Sequence, residues 1–105
     1  MQKYVYIIGS QCPPYKVGIS ADPRSRLKAL QTGHPEKLQI HYQVATDAAQ
    51  TRLLETVIHR HIKFHRTHGE WFNINLTDLK LQVDFVMIRY ADEQNLRQLL
   101  NNGLV

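Results

Sequence analysis

Two short segments on either side of a proline turn constrain the fold of this chain most strongly. Residues 4–8 (Tyr-Val-Tyr-Ile-Ile) and 15–19 (Tyr-Lys-Val-Gly-Ile) are rich in the β-branched and aromatic side chains that are typical of strands. Between them, Pro13 and Pro14 have no backbone N–H to donate to a strand ladder. The sequence therefore predicts that the two segments form an antiparallel hairpin.

The next two segments predict a helix and a third strand. Asp22 and Pro23 suit the N-cap and the first position of a helix, and Gly33 is a natural signal for its end. Residues 38–44 alternate apolar and polar side chains, which predicts a strand with one buried face. The side chains predicted on that face are Leu38, Ile40, Tyr42 and Val44.

Two further helices are predicted in the second half of the chain. Residues 47–50 (Asp-Ala-Ala-Gln) have the form of a capping box. The helix that follows has an apolar stripe of Leu54, Val57, Ile58, His61 and Ile62. Residues 70–74 are predicted as a short extended or turn segment, and residues 77–101 as a helical segment with a break near residues 91–92. The expected fold class is α+β, a small three-stranded antiparallel sheet flanked by helices in the order β-β-α-β-α-α.

Length, charge and cysteine content narrow the classes of function. The 105 residues are expected to form one domain, 1–105, with no segment apolar enough to span a membrane and no secretory signal. The single Cys12 cannot form an internal disulfide, so a cytoplasmic location is expected. Residues 1–68 contain ten Lys and Arg against four acidic residues, a net charge of +6, whereas residues 69–105 contain three against five, a net charge of −2. The basic part indicates a partner with a phosphate backbone.

Five short motifs occur in a characteristic order: Val5-Tyr6-Ile7, Lys16-Val17-Gly18, Arg26, Glu55 and Asn73. Their order and spacing resemble those of the GIY-YIG nuclease superfamily, in particular its small stand-alone branch of T5 orf172-type and MUG113-type domains. The resemblance covers residues 4–75. It implies a DNA endonuclease or nickase that depends on Mg²⁺ or Mn²⁺ and acts on DNA, with branched or single-stranded substrates included. A homodimer or a targeting partner protein could supply the specificity that so small a domain lacks.

The same resemblance assigns roles to individual residues. Tyr6 matches the tyrosine of the first motif and is predicted to be the general base. Lys16 stands in the place of the second-motif tyrosine, and Arg26 matches the family's arginine, so both are predicted to stabilise charge. Glu55 matches the metal ligand, and Asn73 matches a late asparagine counted with the catalytic residues.

The chemistry of phosphodiester hydrolysis fits these residue types. Arg26 offers planar, permanently charged donors to the non-bridging phosphate oxygens. Tyr6 has an ordinary pKa of about 10 and needs nearby cations to lower it, and Lys16 is expected to face it across the hairpin. Glu55 lies at the border of the apolar stripe, and His59, one turn later, could protonate the leaving group or contact a phosphate. The cations predicted to bind the DNA backbone are Arg24, Lys28 and Arg52.

Two alternatives stay open at this point. Lys16 and Leu30 replace residues that many members of the family use, which is compatible with a nucleic-acid-binding module that has the same fold and no catalysis. The second alternative is a zinc domain, since the helix and the segment after it contain four closely spaced histidines. These are His59, His61, His65 and His68.

The motif Gly69-Glu70-Trp71-Phe72 has two interpretations. The preferred one is that Trp71 and Phe72 pack the last helix against the sheet, with Gly69 in the turn. Stacking of Trp71 on a nucleobase is the secondary interpretation.

Overall fold

Five strands and three α-helices occur in residues 2–46 and 51–89, the part of the chain that the computed structural model describes. The strands are β1 (Lys3–Gly9), β2 (Tyr15–Ser20), β3 (Gln39–Thr46), β4 (Arg66–His68) and β5 (Trp71–Phe72). The helices are α1 (Pro23–Gln31), α2 (Thr51–His61) and α3 (Leu76–Arg89), with a short 3₁₀ helix at Lys63–His65. The predicted capping box at 47–50, the break near 91–92 and the continuation of the last helical segment to residue 101 lie outside the described residues.

The five strands form one antiparallel sheet in the order β3-β1-β2-β5-β4. The predicted hairpin is confirmed, because Tyr4 pairs with Ser20 and Gly9 pairs with Tyr15. The α+β class is confirmed, but the predicted number of three strands is wrong. β4 has three exposed residues and β5 has two residues, so neither is long enough to show the alternation that identifies a strand in a sequence.

The two faces of this sheet differ in how much they bury. One face packs against α2 and α3 around a core of thirteen buried residues, among them Val5, Val17 and Phe72. The other face has a smaller apolar cluster of three buried residues, Tyr6, Ile8 and Leu38, and Leu27 and Leu30 of α1 pack against them. We call these the α2/α3 face and the α1 face.

A bulge in the pairing of β1 with β3 corrects the prediction for the third strand. Ile7 pairs with Tyr42 whereas Ile8 pairs with Ile40, so His41 is an extra residue on β3. Because one extra residue reverses the alternation, Leu38 and Ile40 belong to the α1 face and Tyr42 and Val44 to the α2/α3 face. The four side chains therefore do not share one face. The His41 ring lies against the end of β1, with Nε2 at 2.7 Å from the Ser10 carbonyl oxygen.

Helix α1 begins and ends as predicted. The Asp22 carboxylate accepts a hydrogen bond from the Ser25 amide at 3.3 Å, and Pro23 occupies the first turn. The helix ends at Gln31, two residues before Gly33, whose φ of +78° is the left-handed conformation that glycine adopts without strain.

Helices α2 and α3 pack through the predicted apolar side chains. Leu54, Val57 and Ile58 of α2 are buried, as are Leu79, Val83 and Val86 of α3. The predicted helical segment is confirmed for the described part of residues 77–101, which α3 covers from Leu76 to Arg89. None of the helices in the described parts of the chain is long and apolar enough to cross a membrane.

Phe72 and Trp71 separate onto the two faces. Phe72 is fully buried in the core with α2 and α3, as predicted. Trp71 instead lies near His34 and His68 and is half-buried, so the prediction that it packs the last helix is wrong. Neighbouring residues of a strand point to opposite faces, which is why only one of the two can contact α3.

Candidate active site

The site lies beside β2 at the point where the short strand β5 begins. β5 pairs with Tyr15 and Lys16 only, so the next residue of β2, Val17, bonds to groups outside the strand. The Val17 amide donates to the Glu70 carbonyl oxygen at 3.1 Å. The Val17 carbonyl oxygen lies 2.7 Å from Nε2 of His59 on α2. One residue of β2 thereby fixes both the segment before β5 and the face of α2 that points to the site.

Three potential metal ligands meet beside this part of β2. Glu55, His59 and Glu70 each place one ligand atom so that all three atoms lie within 4.8 Å of one another, and all three residues are half-buried. Glu55 and His59 are four residues apart and therefore share a face of α2. Glu70 follows Gly69, whose φ of +53° turns the chain back toward β2. No other group of this kind occurs within residues 2–46 and 51–89.

The chemistry of these donors fits a divalent cation. Carboxylate oxygens are the protein ligands that Mg²⁺ and Mn²⁺ prefer, and imidazole nitrogen also suits transition metals. Nε2 of His59 is bound to the Val17 carbonyl oxygen and must carry the proton, so Nδ1 is the nitrogen with a free lone pair. The backbone thus favours the tautomer of His59 in which Nδ1 keeps the lone pair that a ligand needs.

Lys16 has a different partner from the one expected. Its Nζ donates to Oε2 of Glu70 at 2.7 Å, and Lys16 is only 8% exposed. The sequence analysis placed this cation beside Tyr6, where it would lower the pKa of the phenol. Lys16 does lie on the α1 face with Tyr6, but the ion pair links it to the potential metal ligands.

Tyr6 lies on β1, with 2% of its surface exposed. Burial raises the pKa of its hydroxyl above the ordinary value of about 10. A hydrogen bond from the Arg26 guanidinium and the positive charge of that group lower the pKa by less, and the carboxylates of Glu70 and Glu55 raise it further. Among the described side chains burial therefore prevails, and Lys16, one of the cations expected to lower this pKa, is paired with Glu70 instead.

Gly18 makes room for the Tyr6 side chain. The two residues are direct partners in the hairpin, and a Cβ atom at position 18 would lie 2.5 Å from the Tyr6 hydroxyl oxygen. The group that approaches this glycine is therefore the phenol of Tyr6.

The structure thus brings together Tyr6, Lys16, Arg26, Glu55 and His59, five of the residues selected from the sequence. Asn73 is exposed after β5, and its backbone amide donates to the His65 carbonyl oxygen at 2.7 Å. The cations predicted to bind DNA are exposed on two helices: Arg24 and Lys28 on α1, and Arg52 on α2.

The four histidines of the zinc alternative lie apart. His59 belongs to the metal-ligand group, and His61 binds Gln82 on α3, with 2.6 Å between Nε2 and Oε1. His65 is exposed, and His68 lies beside Trp71. In the parts of the chain that the structure describes, they do not form a common metal site.

Glu70 is the site residue that the sequence analysis missed. Its motif, Gly69-Glu70-Trp71-Phe72, was noted only for its aromatic residues. Glu70 lies outside any helical or strand periodicity, and its partner Lys16 is 54 positions away along the chain. A carboxylate directly after a turn glycine was the one available signal.

Comparison with known proteins gives one match. A family model described as the T5orf172 domain matches residues 3–87. A search of the curated proteins and a search of the solved structures each found no match.

Proposed function

The chain belongs to the T5orf172 family, which is nuclease-like and DNA-binding, and from this premise we propose that it is a divalent-metal-dependent DNA endonuclease or nickase of the GIY-YIG type. The observation that carries the proposal is the group of Glu55, His59 and Glu70 next to the pair formed by Tyr6 and Arg26. A metal site beside a cation and a phenol contains the groups that phosphodiester hydrolysis requires.

Glu55, His59 and Glu70 would hold the cation, Mg²⁺ or Mn²⁺. When bound, such an ion polarises a phosphate and stabilises a leaving oxygen. Glu70 would then serve two partners, because its carboxylate also accepts from Lys16. The Lys16 ammonium offsets part of the negative charge of the two carboxylates and holds Glu70 in place.

Arg26 is proposed to bind the non-bridging oxygens of the scissile phosphate. It is exposed on α1, and its guanidinium keeps free donors after the hydrogen bond to Tyr6 because it has five N–H groups in all. Tyr6 is proposed to take a proton from the attacking water, and its raised pKa means that the cleavage rate should increase with pH through the neutral and mildly alkaline range.

The test is nicking of supercoiled plasmid in Mg²⁺, in Mn²⁺ and in EDTA, with Glu55→Gln as the variant. Glu55→Gln keeps the size of the side chain and removes its charge. Loss of a residue that hydrogen-bonds to a metal ligand reduces activity roughly 10- to 100-fold. Because Glu55 is proposed to be a ligand itself, we expect Glu55→Gln to reduce nicking by more than that. Asp78→Asn is the matched control, since Asp78 is an exposed carboxylate on α3 that binds Asn75. Equal activity of wild type and Glu55→Gln, or equal activity in EDTA, would contradict the proposal.

A second candidate function is binding of nucleic acid without cleavage. Leu30, which stands where many members of the resembled superfamily have a His or Tyr, packs against Tyr6, Ile8 and Leu38 and supplies no proton. DNA binding by folded protein, with no nicking of plasmid, branched or single-stranded DNA in either metal, would support this candidate. For both candidates the proposed partner is DNA, and the protein would act alone, as a homodimer or with a targeting protein.

A further inference from the structure

We propose that the cavity beside Trp71 binds one unpaired nucleobase of the DNA strand that reaches the active site, an inference that rests on the proposed function. The cavity has a volume of about 220 Å³ and lies on the α1 face. Drug-sized ligands occupy sites of about 300–1,000 Å³, so this cavity suits a single small planar group. The lining residues that the argument uses are Ser10, His34, Glu36, Leu38, His68 and Trp71.

Three aromatic rings in this cavity have nearly the same orientation. The Trp71 ring makes an angle of 18° with the His34 ring and of 16° with the His68 ring. The ring centroids are 6.1 and 6.5 Å apart, which is the range of offset stacking and leaves part of the indole face uncovered by either imidazole. A flat base that lies parallel to Trp71 is therefore parallel to all three rings and can stack on them.

The cavity is next to the proposed metal site. Trp71 and Lys16 are direct partners in the pairing of β5 with β2, so their side chains lie side by side on the same face. Glu70, which binds Lys16 and belongs to the metal-ligand group, directly precedes Trp71. A base stacked on Trp71 would thus place its own sugar and phosphate beside the site.

The polar groups of the cavity favour a base over a phosphate. Glu36 is an exposed residue of the lining, and its negative charge disfavours a phosphate there, whereas a carboxylate can accept hydrogen bonds from the amino groups of adenine, cytosine or guanine. The Ser10 hydroxyl donates to the Cys12 carbonyl oxygen, so it serves the loop at the cavity wall, and Leu38 adds an apolar wall that suits the face of a ring. A base inside a duplex cannot reach such a cavity, so the base must be single-stranded or flipped out.

The test uses the fact that Trp71 is the one tryptophan of the chain. Its fluorescence is recorded in EDTA, so that no cleavage occurs, while the protein is titrated with short single-stranded oligonucleotides and with the same oligonucleotides made abasic at every position. We expect quenching by the intact strand, and about 5- to 150-fold weaker binding of the abasic strand, which retains the phosphates. Equal affinity for the intact and the abasic strand, or no quenching by a strand that binds, would overturn the proposal.

The affinity of variants for a labelled single-stranded oligonucleotide, measured by fluorescence anisotropy, tests the role of Trp71 directly. Trp71→Ala should weaken binding of single-stranded DNA about as much as loss of the bases does, and Trp71→Phe should restore most of it. Phe64→Ala is the matched control, because Phe64 is an aromatic residue that is 89% exposed and outside the cavity. Should Trp71→Ala fail to fold, the comparison of intact and abasic strands with wild type still decides the proposal.

The outcomes also separate this proposal from the nuclease proposal. Base-dependent quenching together with absence of nicking in Mg²⁺ and Mn²⁺ would confirm the cavity and contradict the nuclease. Metal-dependent nicking with equal affinity for intact and abasic strands would confirm the nuclease and contradict the binding of a base in the cavity.

Discussion

The two faces of the sheet differ in how much they contribute to the core and to the candidate site. The α2/α3 face buries thirteen residues, most of them aliphatic, between the sheet and two helices. The apolar cluster of the α1 face has three buried residues, and one of them is Tyr6, which interacts with Arg26 at the site. Burial of apolar surface is the main source of stability, so the α2/α3 face must supply most of the folding free energy.

This difference explains where the site can lie. The α1 face, which has the smaller core, contains Lys16, Arg26 and Trp71. Polar groups and a cavity on this face displace few buried apolar side chains. Glu55 and His59 come from α2 on the other side and reach the site beside β2. Substitutions on the α2/α3 face should therefore change stability, whereas those on the α1 face should change DNA binding and cleavage more than stability.

Phe72→Ala should have the largest effect on stability. Phe72 is fully buried in the α2/α3 core, and truncation of a buried phenylalanine costs about 3–5 kcal/mol, a large part of the stability of a small domain. The measurement is urea unfolding followed by circular dichroism. Phe64→Ala is the control and should change the free energy of unfolding by about 0.5 kcal/mol or less. Similar losses for the two variants would contradict the assignment of the main core to this face.

Gly18→Ala should have the next largest effect and should act on both properties. The added Cβ would lie 2.5 Å from the hydroxyl of the buried Tyr6, so the phenol must move. Overpacking of this kind costs about 1–3 kcal/mol. Displacement of the phenol also breaks its hydrogen bond with Arg26, so nicking should fall more than stability explains. Unchanged unfolding and unchanged nicking would show that Tyr6 can adapt, against the geometry described.

Tyr42→Phe tests a polar contact of the α2/α3 face. The Tyr42 hydroxyl donates to Oδ1 of Asp84 at 2.5 Å, which joins β3 to α3. Loss of such a hydrogen bond to a charged group should cost about 1–3 kcal/mol near neutral pH. Chemical unfolding of wild type and variant, measured from pH 7 upward, gives this difference.

The difference in the free energy of unfolding between wild type and Tyr42→Phe should depend on pH. Burial, and then the hydrogen bond and charge of Asp84, raise the pKa of Tyr42 well above its ordinary value of about 10. A raised pKa in the folded state gives a contribution to stability that is present below pH ~10 and decreases above it, because the unfolded chain then loses the proton first. The gap between wild type and Tyr42→Phe should therefore narrow above pH ~10. A gap that widens there would contradict the direction of the shift.

The parts of the molecule that could be predicted from the sequence are those with local causes. The hairpin follows from two β-rich segments around Pro13 and Pro14, and the start of α1 from the Asp22 cap. Glu55 and His59 could be placed together because a helix brings positions i and i+4 to one face. In each case the neighbours along the chain determine the conformation.

The parts that could not be predicted depend on distant residues. Glu70 enters the site through Lys16 and Val17, more than fifty positions earlier in the chain. The bulge at His41 is visible only in the pairing of β3 with β1. The direction of the Tyr6 pKa depends on how deeply the phenol is buried, and no sequence pattern gives that depth.

Arg26→Ala should have the smallest effect on stability and a large effect on cleavage. Arg26 is exposed on α1, so its truncation should change the free energy of unfolding by about 0.5 kcal/mol or less, whereas nicking should be abolished. Lys28→Ala is the control, since Lys28 is an exposed cation on the same helix that should affect DNA affinity and its salt dependence without stopping cleavage. Plasmid nicking and urea unfolding of both variants separate the two roles. Loss of folding in Arg26→Ala would mean that the Arg26–Tyr6 contact stabilises the α1 face. The proposed separation of a stabilising α2/α3 face from a functional α1 face would then not hold at the proposed site.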